Sequence, residues 1–282
     1  MAHDHDGHDR TLRVLHATAP TCWWSWGFHG AVNRVRAVYG DQVRVETFLG
    51  CVYEDLDEYV RHYGTTFEEM QEEARAASET MRVALSDRYT PETMPRSVFP
   101  ATLAAAAARR QGEDAMERML RALQHRSVVA MQDVARPEAL REAAREARLD
   151  LARFERDLAD EEGLRGDLER QGEGWPHLPL GFYNLAVTDG HRHVLLDHAF
   201  EPADLEGAIE WLSGGTLRKR RPEDVGRYLR EHGLVPLAEV ERVFALAPKE
   251  AEERLEALVA EGAAERVVLA GAAHWRPKGD VA

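Results

Sequence analysis

Short β-prone runs and longer helical repeats alternate along the chain from residue 11 onward. Residues 12–17 and 42–49 have the apolar and β-branched content of strands and are bounded by turn-forming residues. Between them, the stretch from about Trp23 to Tyr39 has helical character and ends before Gly40. Strand, helix and strand in this order predict a parallel pair of strands joined by a right-handed crossover.

Helical periodicity dominates the next part of the chain, from about residue 56 to residue 171. Pro95 and Pro100 interrupt it, an alanine-rich helix is predicted from about 101 to 110, and Pro137 opens a later helix. The positions that recur at helical spacing before the first break are Phe67, Met70, Ala74, Ala77, Met81 and Ala84. We therefore expect an all-α domain after the second strand.

Strand character returns at residues 182–187 and 193–196, and Asp189-Gly190 between them is a strong hairpin signal. Pro202 then opens a helix that ends at Gly214-Gly215. The order β-α-β, helical block, β-β-α predicts an α/β protein with a thioredoxin fold and an inserted all-α helical domain. The predicted thioredoxin-like domain comprises residues 11–55 and 172–215, and the insertion comprises residues 56–171.

A smaller module is predicted at the C-terminal end. Residues 216–221 are a basic linker, followed by helix candidates near 223–232, 236–246 and 248–261 and a short β-prone pair at 266–269 and 273–275. Three helices and a hairpin predict a winged-helix-like α+β module over residues 222–278. Residues 249–258 of its third helix contain four glutamates and two basic residues, which disfavours DNA and favours a protein-interaction or lid role.

The net charge of −14 limits the classes of partner. Residues 216–282 hold twelve basic and twelve acidic residues, so the whole excess lies in residues 1–215. This argues against nucleic acid as a partner of residues 1–215 and is neutral about the remainder. No apolar run approaches the ~20 residues that cross a bilayer, and the polar N-terminus does not resemble a signal peptide. We therefore expect a cytoplasmic protein without a membrane partner; the oligomeric state is not determined.

No metal ion or cofactor is predicted. His3, His5 and His8 alternate with aspartate near the terminus, but such tracts rarely form a defined site on their own. His191 and His193 would share one face of a strand, where solvent exposure explains them. The only small molecule that the sequence suggests is a low-molecular-weight thiol as a co-substrate.

The strongest chemical signal is Cys22, which lies between the first strand and the first helix. Unpaired N–H groups and the positive end of a helix dipole favour a thiolate at such a position. Cys22-Trp23-Trp24-Ser25 has the spacing of a redox Cys-x-x-Cys motif, with Ser25 in the place of the second cysteine. Since the second thiol normally resolves the mixed disulfide, Ser25 cannot complete that reaction, although its hydroxyl could stabilise the Cys22 thiolate.

Several segments resemble the DsbA family, in particular its cytoplasmic FrnE-like branch. They are the Cys22 motif after the first strand, residues 96–101 (Arg-Ser-Val-Phe-Pro-Ala), residues 110–113, residues 149–154 and residues 178–182 (Leu-Pro-Leu-Gly-Phe). The opening segment also resembles the SpxH (YjbH) protease adaptors. The resemblance implies that Cys22 is the attacking cysteine and Pro179 is the cis-proline beside it, with the backbone of Leu178 facing the sulfur and holding a client strand.

The resemblance leaves three functions open. The first is a monothiol oxidoreductase or thiol transferase in which Cys22, Ser25 and Pro179 are catalytic and Trp23, Trp24 and Leu178 bind the substrate. The second is a non-catalytic adaptor that uses the same groove and the C-terminal module to hold a protein. The third, a minor one, is glutathione-type chemistry, because the kappa-class glutathione transferases are similar in fold and use a serine at this motif.

Two smaller expectations concern the neighbours of Cys22. Cys51 follows the second strand and could act as a distant resolving cysteine, but a small residue that ends a strand is the preferred interpretation. Of the three tryptophans, we expect Trp26 to be buried and one of Trp23 and Trp24 to be exposed.

Overall fold

A four-stranded mixed sheet forms the centre of the molecule; the computed structural model describes residues 11–173 and 185–279. Its strands are β1 (Leu12–Thr18), β2 (Val43–Leu49), β3 (Leu185–Thr188) and β4 (His193–Leu196). The order is β2-β1-β3-β4, with β1 parallel to β2 and antiparallel to β3, and with β3 antiparallel to β4. This is the predicted thioredoxin-type sheet, although residues 182–184 of the third predicted strand fall outside the described residues.

Helix α1 (Trp23–Tyr39) joins β1 to β2 and is buried along most of its length. Several of its apolar side chains, among them Trp26, Phe28, Val32 and Val35, are at most 1% exposed and form one core with the sheet and with α9 (Pro202–Ser213). A helix that is covered almost all round must be surrounded by other elements, which the inserted domain and the C-terminal module supply.

The insertion after β2 is entirely helical in its regular elements. Its helices are α2 (Leu56–Tyr63), α3 (Phe67–Met81), α4 (Phe99–Arg109), α5 (Glu113–Gln124), α6 (Pro137–Glu146), α7 (Leu151–Leu158) and α8 (Glu161–Glu173), and α5 continues as a π-helical turn over His125–Val129. The alanines of α4, at 101 and 104–108, are almost fully buried, because their small side chains let α5, α7 and α8 pack closely around this helix. These elements confirm the predicted helical insertion.

One part of the helical prediction is wrong. Helix α3 ends at Met81 and Arg82 adopts a left-handed conformation with φ of 55°, so Ala84 lies outside the helix. Residues 82–98 instead form a non-helical connection to α4. Pro100 does not break a helix but lies in the first turn of α4. Backbone N–H groups in the first turn have no partner within the helix, so the missing N–H of proline costs no hydrogen bond there.

The C-terminal module has three helices and a three-stranded antiparallel sheet. Its elements are α10 (Val225–His232), β5 (Val235–Pro236), α11 (Leu237–Phe244), α12 (Pro248–Ala260), β6 (Ala264–Leu269) and β7 (Ala272–Pro277), with the sheet order β5-β7-β6. The helices and the hairpin lie close to their predicted positions, and β5 was not anticipated. The winged-helix-like assignment and the domain boundaries stay predictions. None of the described helices is long and apolar enough to span a bilayer.

The basic segment 216–221 is bound to the thioredoxin-like domain and is not a free linker. The Nζ atom of Lys219 lies 2.6 Å from carboxylate oxygens of both Glu206 and Glu210 on α9. The backbone amide of Arg220 donates a 2.8 Å hydrogen bond to the carbonyl of Val38 on α1. These contacts fix the point from which the module begins.

The module packs against α1 through small and charged residues. Gly30 of α1 allows Arg242 of α11 to approach so closely that a Cβ atom at position 30 would lie 2.7 Å from the Arg242 Cδ atom. Arg242 in turn donates to the carbonyl of Met81 at 2.9 Å and to Glu201 at 2.8 Å. One arginine of the module therefore contacts α1, α3 and the start of α9.

A buried ion pair joins the inserted domain to the module. Arg121 of α5 lies 2.9 Å from the carboxylate of Glu239 on α11, and their side chains are 8% and 2% exposed. Arg121 also donates to the carbonyl of Leu234 at 2.6 Å, and the hydroxyl of Tyr228 donates to Glu239. Asn33 of α1 donates to the Tyr228 oxygen at 2.8 Å, so three parts of the chain share one polar network.

Replacing Arg121 with methionine should lower the free energy of unfolding by about 3–5 kcal/mol, because Glu239 would stay buried without its partner. Urea unfolding measures the change. Arg254→Met is the matched control, since its pair with Glu250 is exposed and worth under ~1 kcal/mol. The double variant Arg121→Met/Glu239→Leu should recover part of the loss. A loss below about 1 kcal/mol for Arg121→Met would contradict the buried pair.

Stability should also fall in mild acid because several histidines are buried in the neutral form. Burial lowers the pKa of His16 to about 4 and holds the pKa values of His29 and His274 below their ordinary value. The unfolded chain then binds more protons below its histidine pKa of about 6.5, so each such histidine removes about 1.4 kcal/mol per pH unit.

Urea unfolding between pH 7.5 and pH 5 measures this loss. The contribution of the neutral buried histidines to the free energy of unfolding should be fully present above pH 6.5 and should decrease as the pH falls. His29→Gln should reduce the slope, whereas His193→Gln, at an exposed position of β4, should leave it unchanged. A stability that does not change across this range would contradict the assignment of neutral buried histidines.

Candidate functional site

The candidate site begins at the turn between β1 and α1. Cys22 is the residue that caps the N-terminus of α1, with extended backbone angles, and its amide donates a 3.1 Å hydrogen bond to the carbonyl of Ala19. Cys22 is 9% exposed and is a free thiol. The predicted placement of the cysteine at a helix N-terminus is therefore present in the structure.

Helix α5 of the inserted domain holds this turn in place. Gln124 is fully buried, and its amide nitrogen donates to the Thr18 hydroxyl at 3.1 Å and to the Ala19 carbonyl at 3.2 Å. The amide oxygen of Gln124 lies 2.7 Å from Nε2 of His29. The hydroxyl of Ser127 donates to the carbonyl of Pro20 at 2.8 Å. The backbone before Cys22 is thus positioned by residues about 100 positions later.

Sequence reasoning missed Gln124 and Ser127. The one signal was a glutamine directly after the apolar positions Met119, Leu120 and Leu123 of a helix, where a further buried position falls. A polar side chain at such a position needs hydrogen-bond partners, but the sequence does not say which ones.

Burial raises the pKa of the Cys22 thiol, which contradicts the expected stabilised thiolate. Hydrogen bonds from the Ser25 hydroxyl, the Ser25 amide and the Trp24 amide act in the opposite direction and lower the pKa. Desolvation is the largest of these contributions, so the thiol is predominantly neutral at pH 7. Ser25, which is 1% exposed, is the expected hydrogen-bonding neighbour of the sulfur, but it does not offset the burial.

A pocket of about 350 Å³ opens beside Cys22. Most of its lining comes from the inserted domain, with Thr21 to Trp24 forming one wall. Nine of the described lining residues are aromatic or methionine: Trp23, Trp24, Tyr53, Tyr59, Tyr63, Tyr89, Met70, Met94 and Met131. None of the described residues of the C-terminal module lines it, so the module does not cover this pocket as a lid.

The three tryptophans have distinct environments. Trp26 is 1% exposed, as expected, and lies below the guanidinium of Arg121 at 5.2 Å. Trp23 packs edge-on against Tyr89 with ring centroids 5.4 Å apart, and Trp24 stacks on Phe200 at 5.8 Å. Both are half-buried, so the expectation that one of them is exposed is wrong. Both line the pocket, where the sequence placed a substrate-binding surface.

Two of the predicted site residues, Leu178 and Pro179, lie outside the described residues. Their roles as client-binding edge and cis-proline stay predictions. Cys51 is described, is free, and is not among the residues that line the pocket. Its Sγ donates to the Tyr53 carbonyl at 3.1 Å, and burial raises its pKa to about 11. These features agree with the preferred interpretation of Cys51 as a small residue that ends a strand.

Among residues 11–173 and 185–279, no group of three or more histidine, cysteine or carboxylate residues is placed to hold a metal ion. His3, His5 and His8 lie outside these ranges. His191 and His193 are exposed near the β3–β4 hairpin.

Known proteins resemble this chain in sequence and in fold. The sequence model of a family described as thioredoxin matches residues 17–169, which is more than half of the chain. The chain is also similar to the ClpXP adapter protein SpxH of Halalkalibacterium halodurans, with 25% identity over 274 residues. That match covers 95% of this chain and 89% of the relative, so it includes most of the C-terminal module.

Two solved structures share the fold. The cytosolic disulfide reductase DsbM from Pseudomonas aeruginosa has a TM-score of 0.55 at 18% identity, covering 71% of this chain and 97% of its own. A probable DsbA oxidoreductase from Streptomyces coelicolor has a TM-score of 0.50 at 20% identity, covering 76% of this chain and 93% of its own. The DsbA-like fold is thereby confirmed, and about a quarter of this chain lies beyond what these structures match.

The rate at which iodoacetamide alkylates Cys22 should increase with pH to a midpoint above the ordinary thiol value of about 8.5. The measurement uses Cys51→Ser, so that only one thiol reacts, and urea-unfolded protein gives the reference midpoint. Ser25→Ala should raise the midpoint further, because the sulfur loses a hydroxyl donor. A midpoint below that of the unfolded protein would contradict the raised pKa and support the stabilised thiolate that the sequence predicts.

Proposed function

We propose that this chain, which belongs to the thioredoxin family, is a protein-binding adaptor that holds a client polypeptide in the pocket beside Cys22. The observation that carries the proposal is a pocket with aromatic and methionine side chains beside Cys22, whose thiol is buried, has a raised pKa and has no second cysteine in its motif. Thioredoxin-type turnover needs a thiolate to attack and a second thiol to resolve, and Ser25 occupies the second position. The pocket, by contrast, is suited to binding without any reaction.

The similarity to SpxH supports the same proposal. It extends over 95% of the chain, including most of the C-terminal module, whereas the two solved structures cover 71% and 76% of it. The relative is described as an adapter of ClpXP, so the client would be delivered to a protease of that type. The C-terminal module, which leaves the pocket open, would be the surface that contacts the protease.

A second candidate is monothiol exchange at Cys22, and one observation favours it. The hydroxyl and amide of Ser25 and the amide of Trp24 are directed at the sulfur, which would stabilise a thiolate once a client or a low-molecular-weight thiol is bound. In this reaction the Cys22 thiolate would attack a client disulfide, forming a Cys22–client bond and releasing the other client sulfur as a thiol. An external thiol would then have to release Cys22.

Residues 178–179 would have the client-binding role that the sequence predicts for them. The backbone of Leu178, next to Pro179, would bind the client as an added strand at the side of the pocket. Protein clients in the cytoplasm, without nucleic acid or membrane, are the partners that this function requires.

Client capture distinguishes the two candidates. We expect immobilised wild-type protein and the Cys22→Ser variant to retain the same client proteins from a lysate of the source cells, and purified ClpXP to degrade a retained client faster in their presence. The double variant Tyr59→Ala/Tyr63→Ala should lose the clients because it opens the rim of the pocket. Mass spectrometry of the non-reduced eluate identifies both the clients and any bond to Cys22.

The opposite pattern would support the second candidate. Clients that are retained only by wild-type protein, bound to Cys22 through a disulfide and released by reductant, would exclude a non-covalent adaptor. Tyr59→Ala/Tyr63→Ala must keep the wild-type circular dichroism spectrum and urea midpoint within error, so that lost capture reports the pocket.

A further inference from the structure

The pocket beside Cys22 is aromatic on several sides but carries little charge of its own. Among the described residues that line it, Glu73 of α3 is the one with a charged side chain, and Trp23, Tyr59, Tyr63 and Tyr89 surround the same space. The described lining therefore offers one carboxylate and several ring faces, and no lysine or arginine.

Three of the tyrosines that line the pocket keep their neutral form. Burial raises the pKa values of Tyr53, Tyr59 and Tyr89, so that none of them ionises near neutral pH. Neutral phenol and indole rings present a negative electrostatic face, and such faces attract ammonium and guanidinium groups. The attraction strengthens when the cation is taken out of water, as it would be in a pocket.

The segment that carries Tyr59, Tyr63 and Glu73 has the same sign. Residues 54–79, which include α2 and α3, contain nine acidic and two basic residues, a net charge of −7. The whole chain has a net charge of −14, so these 26 residues carry half of it. A surface of one sign raises the association rate of partners of the opposite sign and repels partners of its own sign.

We propose that the pocket binds a lysine or arginine side chain from a basic segment of the client, with the aromatic rings around the alkyl chain and Glu73 facing the cation. The inference rests on the adaptor function and adds the chemistry of the client to it. It also disfavours glutathione-like thiols as ligands of the pocket, because their carboxylates find no basic partner among the described lining residues.

Three matched peptides test the proposal. Each is Ac-Ala-Xaa-Ala-Cys-amide with its cysteine activated as a thiopyridyl disulfide, and Xaa is lysine, norleucine or glutamate. Norleucine has the length of lysine without its charge. Attack by Cys22 forms the Cys22–peptide disulfide and releases pyridinethione, whose absorbance gives the rate. The protein carries Cys51→Ser, so that only Cys22 reacts. Each rate is divided by the rate at which glutathione reacts with the same peptide, which corrects for the intrinsic reactivity of the peptide disulfide.

We expect the lysine peptide to react at least about fivefold faster than the norleucine peptide, and the glutamate peptide to react slowest. Glu73→Gln should reduce the lysine advantage to under about half, whereas Glu72→Gln should leave it unchanged. Glu72 and Glu73 are both exposed on the same helix, but Glu72 does not line the pocket. Because Glu72→Gln removes the same charge as Glu73→Gln, the comparison separates the local contact from long-range attraction.

Equal normalised rates for lysine and norleucine, or an equal effect of Glu72→Gln and Glu73→Gln, would overturn the proposal. A non-covalent measurement separates this failure from failure of the adaptor function. Cys22→Ser protein is titrated with the lysine and norleucine peptides that carry serine in place of cysteine, and tryptophan fluorescence reports binding. Lysine selectivity without client capture would overturn only the adaptor, and client capture without lysine selectivity would overturn only the cation pocket.

Discussion

The burial of helix α1 on nearly all sides is the constraint on which the rest of the structure depends. The sheet and α9 cover one side, and α3, α5 and α11 cover others. The N-terminal end of α1 is where the covering elements leave a pocket, so Cys22 lies in a recess formed by the inserted domain. The same burial that stabilises the helix removes water from around the sulfur.

Two effects compete at this sulfur, and their magnitudes decide the outcome. A helix N-terminus typically stabilises a negative charge by about 0.3–1 kcal/mol, and up to about 2 kcal/mol in partly buried sites. Full burial can shift a pKa by about 3–5 units, which is several kcal/mol in the opposite direction. The position of a cysteine at a helix end is therefore insufficient to predict a thiolate. The solvent around the sulfur must be known as well.

The sequence was sufficient for the elements whose patterns are local. The β1–α1–β2 unit, the Asp189-Gly190 hairpin and the helices with a clear apolar face appear close to their predicted positions. The connection over residues 82–98 was not predicted, because Ala84 continues the helical spacing. No neighbouring residue in the sequence indicates that Arg82 adopts a left-handed conformation. Propensity is a weak guide at such points because tertiary contacts decide where a helix stops.

The site itself was predicted only in part, for a different reason. Cys22, Ser25 and the two half-buried tryptophans come from one short segment, and a motif can reveal them. The tyrosines, the methionines and Gln124 come from distant helices, and their approach to Cys22 depends on how the insertion docks. The raised pKa of Cys22 follows from that docking and could not be read from the motif.

The docking of α11 on α1 also has a consequence for biosynthesis. Arg242 approaches Gly30 from a position more than 200 residues later in the chain. During translation, α1 is therefore made long before the element that covers one of its sides, and that side stays exposed until then. Contacts of such long sequence separation form late and slowly. The side of α1 that faces α11 is thus covered only after nearly the whole chain has been made.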